Sequence, residues 1–199
     1  GVINAAGGRL RVEGGLTGTV TNNGQMRLTP TGTLTGTLNT TNWAELNGTI
    51  TGTLNYNGGT LLTGDAFRVN GEFRLNEDYE IAAGRSINAT RTVVATNTVL
   101  DLEGALVGAL VNDGRGNVSG TQASVSETLT NNSVVSLSDG SGRADVLTVG
   151  GLAGTGRYVL DIDTRNARAD QIVVDGGAAT GNYSLELNFL DPNTILSMG

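Results

Sequence analysis

The chain has 199 residues, a net charge of −7, and 31 glycines against two prolines. It contains no histidine, lysine or cysteine, which excludes a Ser-His-Asp triad, a thiolate nucleophile, a disulfide framework and nitrogen or sulfur ligation of a transition metal. The acidic balance argues against nucleic acid as a partner, and abundant glycine without a Gly-X-Y period points to turn-rich β structure rather than collagen.

No apolar run approaches the length of a membrane span, and the first residues lack the basic and apolar regions of a signal peptide. The end segments "GVINAAGG" and "NTILSMG" read as cut ends of something longer, with any export signal or anchor outside this piece. Absence of cysteine suits a chain that crosses an oxidising space unfolded.

From the N-terminus, Thr-Gly-Thr recurs at 17–19, 35–37 and 51–53, with a degenerate copy around Val69-Asn70-Gly71-Glu72-Phe73. Apolar residues alternate with threonine in each copy: Leu16 and Val20, Leu34 and Leu38, Ile50 and Leu54, with Gly18, Gly36 and Gly52 between them on the same face. Each copy leads into an Asn-rich turn, "TNNGQMRL", "NTTNWAEL" or "NYNGGTLL". Units this short suit one coil of a β-solenoid, which buries its inward face only when neighbours stack on it. Asn and Gly fit the corners because both tolerate positive φ.

Past residue 75 the rhythm loosens, but "INATRTVVATNTVLDL" still reads as strands and continues the stack. The stretch "SLSDGSGRAD" at 136–145 marks the internal boundary, a turn rather than a linker. A second repeat follows, gapless at a period of 25: "RADVLTVGGLAGTGRYVLDID" from Arg143 against "RADQIVVDGGAATGNYSLELN" from Arg168. Alternation places Tyr158, Leu160 and Ile162 on one face and Tyr183, Leu185 and Leu187 on the equivalent face of the next copy.

The segment "ADVLTVGGLAGTGRYVLDIDTRNARADQIVVDGGAATGNYSLELN" resembles the membrane-proximal end of pertactin-type (type V) autotransporter passengers, over about residues 133 to 190. That resemblance implies a right-handed parallel β-helix, export through a C-terminal translocator barrel outside this fragment, and display on a Gram-negative cell surface or release outside it. It also implies an autochaperone role for this end. "NFLDPNTILSMG" stops before any linker helix or barrel, which implies an excised piece or a released passenger fragment.

Candidate sites are each weighed against plain structure. The Arg-Ala-Asp triplets at 143–145 and 168–170 invite comparison with integrin-binding tripeptides, but recurrence at the repeat period favours ion pairs between coils or acceptance of turn amides. "DGSGRADVL" at 139–147 approximates a calcium-roll motif with its Asp one position late. In "DIDTRNARAD", Asp161 and Asp163 are followed by Arg165 where a calcium loop needs oxygen. The acidic run "NEDYE" at 76–80 would splay over both faces of a strand. Outward threonines, Thr17 and Thr19 beside Thr33, Thr35 and Thr37 and then Thr49, Thr51 and Thr53, form rows that also resemble ice-binding solenoids, though Asn70 and Glu72 interrupt them. Asn side chains at the corners are expected to stack in ladders, with Trp43 and Tyr56 as corner packing or exposed contacts.

The sequence therefore predicts an all-β, right-handed parallel β-helix, with passenger coils over 1–132 and a pertactin-like, autochaperone-type end of the same helix over 133–199. The expected function is a non-enzymatic stalk or adhesin, its partner a host-cell or bacterial surface ligand or a second copy of itself. A carbohydrate-active β-helix enzyme is the alternative, and an ice-binding solenoid ranks below it. No catalytic, cofactor-binding or metal-binding residue is assigned, and no cofactor is expected.

Overall fold

The computed structural model describes residues 1–140 and 144–190, and among them every regular element is a strand. The first coils contain β1 (Val2–Asn4), β2 (Arg9–Val12), β3 (Gly15–Asn22), β4 (Gln25–Leu28), β5 (Thr33–Thr40), β6 (Ala44–Leu46), β7 (Thr49–Tyr56) and β8 (Leu61–Thr63). The middle holds β9 (Arg68–Leu75), β10 (Tyr79–Ile81), β11 (Ser86–Val94), β12 (Val99–Leu102), β13 (Ala105–Asn112), β14 (Arg115–Val118), β15 (Ala123–Asn131) and β16 (Val134–Ser136). Last come β17 (Val146–Gly154), β18 (Arg157–Asp163), β19 (Arg168–Ala169), β20 (Gln171–Val174) and β21 (Ser184–Phe189).

A ten-stranded sheet, β1-β3-β5-β7-β9-β11-β13-β15-β17-β20, forms a long wall in which neighbours are parallel. The short strands make a second wall in two pieces, β2-β4-β6-β8 and β10-β12-β14-β16-β18. β21 extends the latter in parallel and β19 pairs with β18 antiparallel. The chain is thus a parallel β-solenoid, as the repeats predict, and each turn of chain alternates between the walls.

Register explains why the repeats are so close. Leu16, Leu34, Ile50 and Val69 lie in one column, and Val20, Leu38, Leu54 and Phe73 in another. Thr17, Thr35 and Thr51 form an outer row that ends at Asn70, and Thr19, Thr37 and Thr53 a second that ends at Glu72. β5 and β7 share one burial pattern along their length, with Leu34, Leu38, Ile50 and Leu54 fully buried. Each leucine is covered only because the next coil supplies another above it, so burial is a property of the stack.

The glycines between these columns bend the strand. Gly36 and Gly52 have φ of +135° and +134°, a region closed to most side chains. A Cβ at Gly52 would also overlap the carbonyl oxygen of Gly36, and one at Gly36 the carbonyl of Gly18.

The C-terminal repeat departs from the gapless alignment. β17 and β20 do pair at the 25-residue offset, Leu147 beside Ile172 and Val149 beside Val174. Beyond that point Leu152 bridges Ala179, and Tyr158 lies beside Leu185 rather than Tyr183. Two extra residues are taken up in the turn after Val174. Because the slip is even, the same face still points inward, and Tyr183 packs edge-on against Tyr158 with ring centroids 5.6 Å apart.

Candidate functional site

Three arrangements gather polar or apolar groups in a way a plain strand surface does not: the corner amides, the buried carboxylates near the C-terminal coils, and the end face. The corner amides stack as expected. Asn4 donates its side-chain amide to Asn22 Oδ1 at 2.7 Å, and Asn22 donates to Thr40 Oγ1 and the Trp43 carbonyl, each at 3.1 Å. Further along, Asn112 donates to Asn131 Oδ1 at 2.9 Å, and Asn131 to the Arg157 carbonyl at 3.0 Å. Between the two ladders Tyr56, Leu75 and Val94 occupy the column instead. Tyr56 is buried and donates its hydroxyl to the Gly59 carbonyl at 2.7 Å, while Trp43 is half-buried.

The Arg-Ala-Asp repeat resolves into carboxylates that hold turns together; Arg143 lies outside the described residues. Asp145 Oδ1 accepts the Gly120 amide at 2.6 Å, and Asp170 Oδ1 accepts the Asp145 amide at 2.9 Å, both across one 25-residue coil. Asp170 Oδ2 takes the Asp161 amide at 2.7 Å. Asp161 in turn accepts the Gly140 amide at 2.9 Å and the Asn188 side chain at 2.7 Å. All three aspartates are buried, and Asp145 Oδ2 has no hydrogen-bond partner.

Burial pushes the Asp145 and Asp170 carboxyls above the usual carboxylate value, only partly offset by the amides they accept. Asp161 is desolvated too, but hydrogen bonds from Ser138, Gly140, Asn188 and Asp139 outweigh burial and hold it below that value. Asp163 takes the Arg165 and Asn166 amides at 3.1 Å and the Asn166 side chain at 2.7 Å, capping an exposed turn. Among the described residues no group of three or more acidic side chains is placed to hold a metal ion.

The "NEDYE" carboxylates splay. Glu77, Asp78 and Glu80 are exposed, and Asp78 accepts the Val99 amide at 2.7 Å. Tyr79 turns inward to pack on Tyr56 and Phe73 at 5.5 and 5.8 Å, and burial lifts its hydroxyl to about 12.

The end face was not anticipated from the sequence. Leu185, Leu187 and Phe189 of β21 are 60%, 46% and 38% exposed, yet they lie beside Tyr158, Leu160 and Ile162 of the coil before, of which Tyr158 is in the core and Leu160 packs against it. At the other end, among the described residues, β1 has a strand partner only in β3, and β2 only in β4. A strand edge with free amides and carbonyls, beside uncovered inward aliphatics, is a template for pairing with another layer.

A model of the bactofilin family, described as polymer-forming cytoskeletal, matches residues 1–92, just under half of the chain. No curated protein and no solved structure matches the chain.

This family match corrects the resemblance to pertactin-type autotransporter passengers. It points to a polymer-forming cytoskeletal family instead, and with the resemblance go the adhesin stalk, the autochaperone end, the translocator barrel and the surface-ligand partner. Location on the cell surface or outside the cell is corrected likewise, since the matched family is cytoskeletal. The carbohydrate-active and ice-binding alternatives draw nothing from the match either. The physical reason for the error lies in the C-terminal repeat: aspartates spaced to bond the preceding turn, glycines where coils touch and alternating aliphatics are demands of any stacked coil, so they specify a scaffold and not a secretion route.

Proposed function

We propose that the chain is a non-enzymatic building block of a homopolymer, joined through the ends of its solenoid, with a second copy of itself as principal partner. The match of residues 1–92 to a polymer-forming family carries this reading. The open strand edges and the exposed Leu185, Leu187 and Phe189 support it, because a stacked copy covers both unpaired backbone and inward aliphatics at once. A non-enzymatic role is further supported by Asp170, both of whose carboxylate oxygens accept backbone amides, those of Asp145 and Asp161. A cytoskeletal polymer would work inside the cell.

We also keep a division near residue 133, with coils over 1–132 and a distinct end of the same solenoid over 133–199. The change to a 25-residue coil and the carboxylate links from Asp145 onward support it.

Electron microscopy of the purified chain tests the polymer. Filaments are expected, and Leu187→Asp, which places a charge on the end face, is expected to shorten or abolish them while leaving the circular dichroism of the strands intact. Isolated particles at every concentration, or filaments indifferent to Leu187→Asp, would count against the proposal.

A further inference from the structure

The walls of the solenoid share one defect. β8 pairs with β6 and β10 with β12, so the short-strand ladder is broken between β8 and β10. The long wall is loosened at the same height. Pairing of β9 with β11 starts only at Val69 and Ala89, which leaves Ser86, Ile87 and Asn88 bonded to β13 alone.

A cavity of about 190 Å³ opens at this defect, lined among others by Thr63, Asp65, Arg68, Arg85, Ser86 and Asn88. Its arginines differ from most others in the chain. Arg11, Arg27, Arg74, Arg91 and Arg157 each form an ion pair with a glutamate, and Arg115 donates to Asn117. Among the described residues Arg68 and Arg85 make no ion pair, and Asp65, which shares their cavity, lies within bridging distance of neither. In a chain of net charge −7, two unneutralised guanidinium groups therefore line one small cavity beside a strand edge that lacks a partner. Both arginines are exposed, so each guanidinium is free to turn toward a ligand in the cavity.

The geometry points to a binding site for a small oxyanion of the phosphate class, held by Arg68 and Arg85. The guanidinium fork matches the spacing of phosphate oxygens. Ser86 and Asn88 supply further donors, and the unpaired edge of Ser86–Asn88 supplies backbone N–H groups. The volume is several times the ~30 Å³ share of one water, which admits a phosphate with part of its hydration and excludes a folded partner. The net charge of the three ionised groups lining it is positive, so an anion is the ligand that the site stabilises. This site is separate from the end faces, so its outcome and that of the polymer are independent.

Titration calorimetry of the full chain with inorganic phosphate, at ionic strength held constant with chloride, tests the site. Saturable binding is expected, together with a thermal unfolding midpoint that rises with phosphate concentration. Arg68→Gln and Arg85→Gln should each weaken affinity by about tenfold or more, as loss of a charge-assisted hydrogen bond does. Arg9→Gln, which removes an arginine outside the cavity, should leave affinity unchanged. Absence of heat and of any midpoint shift in the unaltered chain would overturn the site. So would equal weakening in all three variants, because binding would then follow overall charge and not the cavity.

Discussion

At the residue scale, the Gly18, Gly36 and Gly52 column makes the sharpest prediction. Gly52→Ala must adopt positive φ and also push its methyl into the Gly36 carbonyl, so it should cost about 3 kcal/mol. Gly18→Ala has the same backbone problem at φ +117° but nothing within 4 Å of the new methyl, and should cost only about 1 kcal/mol. Denaturant midpoints of the two variants measure the difference; equal losses would mean that close contact between coils does not set the need for glycine. The column was legible as a repeat, since Thr-Gly-Thr recurs. Its reason was not, because the clash is with a residue one coil away.

Asp145 carries a pH signature. Its native carboxyl lies above the ordinary value of 3.8, so the folded state binds the proton more tightly than the unfolded chain. The stability it contributes is full below 3.8 and is lost as pH rises through the native value. Asp170 behaves alike, while Asp161, held below 3.8, contributes stability that is lost as pH falls through its own native value. Acidification from neutral pH toward 4 should therefore raise the unfolding midpoint, and stronger acid should lower it again. Asp145→Asn keeps an oxygen for the Gly120 amide but removes the proton site, and should flatten the rise; an unchanged slope would show that Asp145 does not titrate in that range. The sequence hinted at this role through the spacing of Asp145 and Asp170. It could not show that Asp161 closes the link, because β18 approaches that corner only in the folded stack.

At the scale of elements, strand register decides which side chains become neighbours. The inward columns of β3, β5 and β7 could be read directly, since Leu34-x-x-x-Leu38 and Ile50-x-x-x-Leu54 repeat without insertion. The C-terminal pair could not. Glycines at matching positions in both copies kept the sequence alignment gapless, whereas the backbone takes up two residues between Val174 and Ala179. The break between β8 and β10 was equally hidden, since "NYNGGTLL" reads as one more Asn-rich turn and the looser rhythm past residue 75 still continues the stack.

The corner ladders are the polar counterpart of the aliphatic columns. Asn131→Ala removes the acceptor of Asn112 and the donor to the Arg157 carbonyl, leaving buried groups unpaired at a cost of about 2 kcal/mol. A loss near zero in chemical denaturation would mean that water replaces those bonds.

At the scale of the whole molecule, stacking was legible and purpose was not. Alternation, period and turn chemistry are constraints on a coil, and they reach the residue level because each coil must fit the next. Purpose depends on what meets the ends, where side chains such as Leu187 look inward by pattern yet stand 46% exposed. The same feature that made the C-terminal repeat resemble an exported stalk, regular coils with an aliphatic interior, serves equally for a polymer whose subunits continue one another.

Sedimentation equilibrium of the unaltered chain over a wide range of concentration tests that continuity most directly. The apparent mass should climb with concentration without settling at a dimer, because a joint that leaves one end open always admits another subunit. A single-chain mass at every concentration would contradict it.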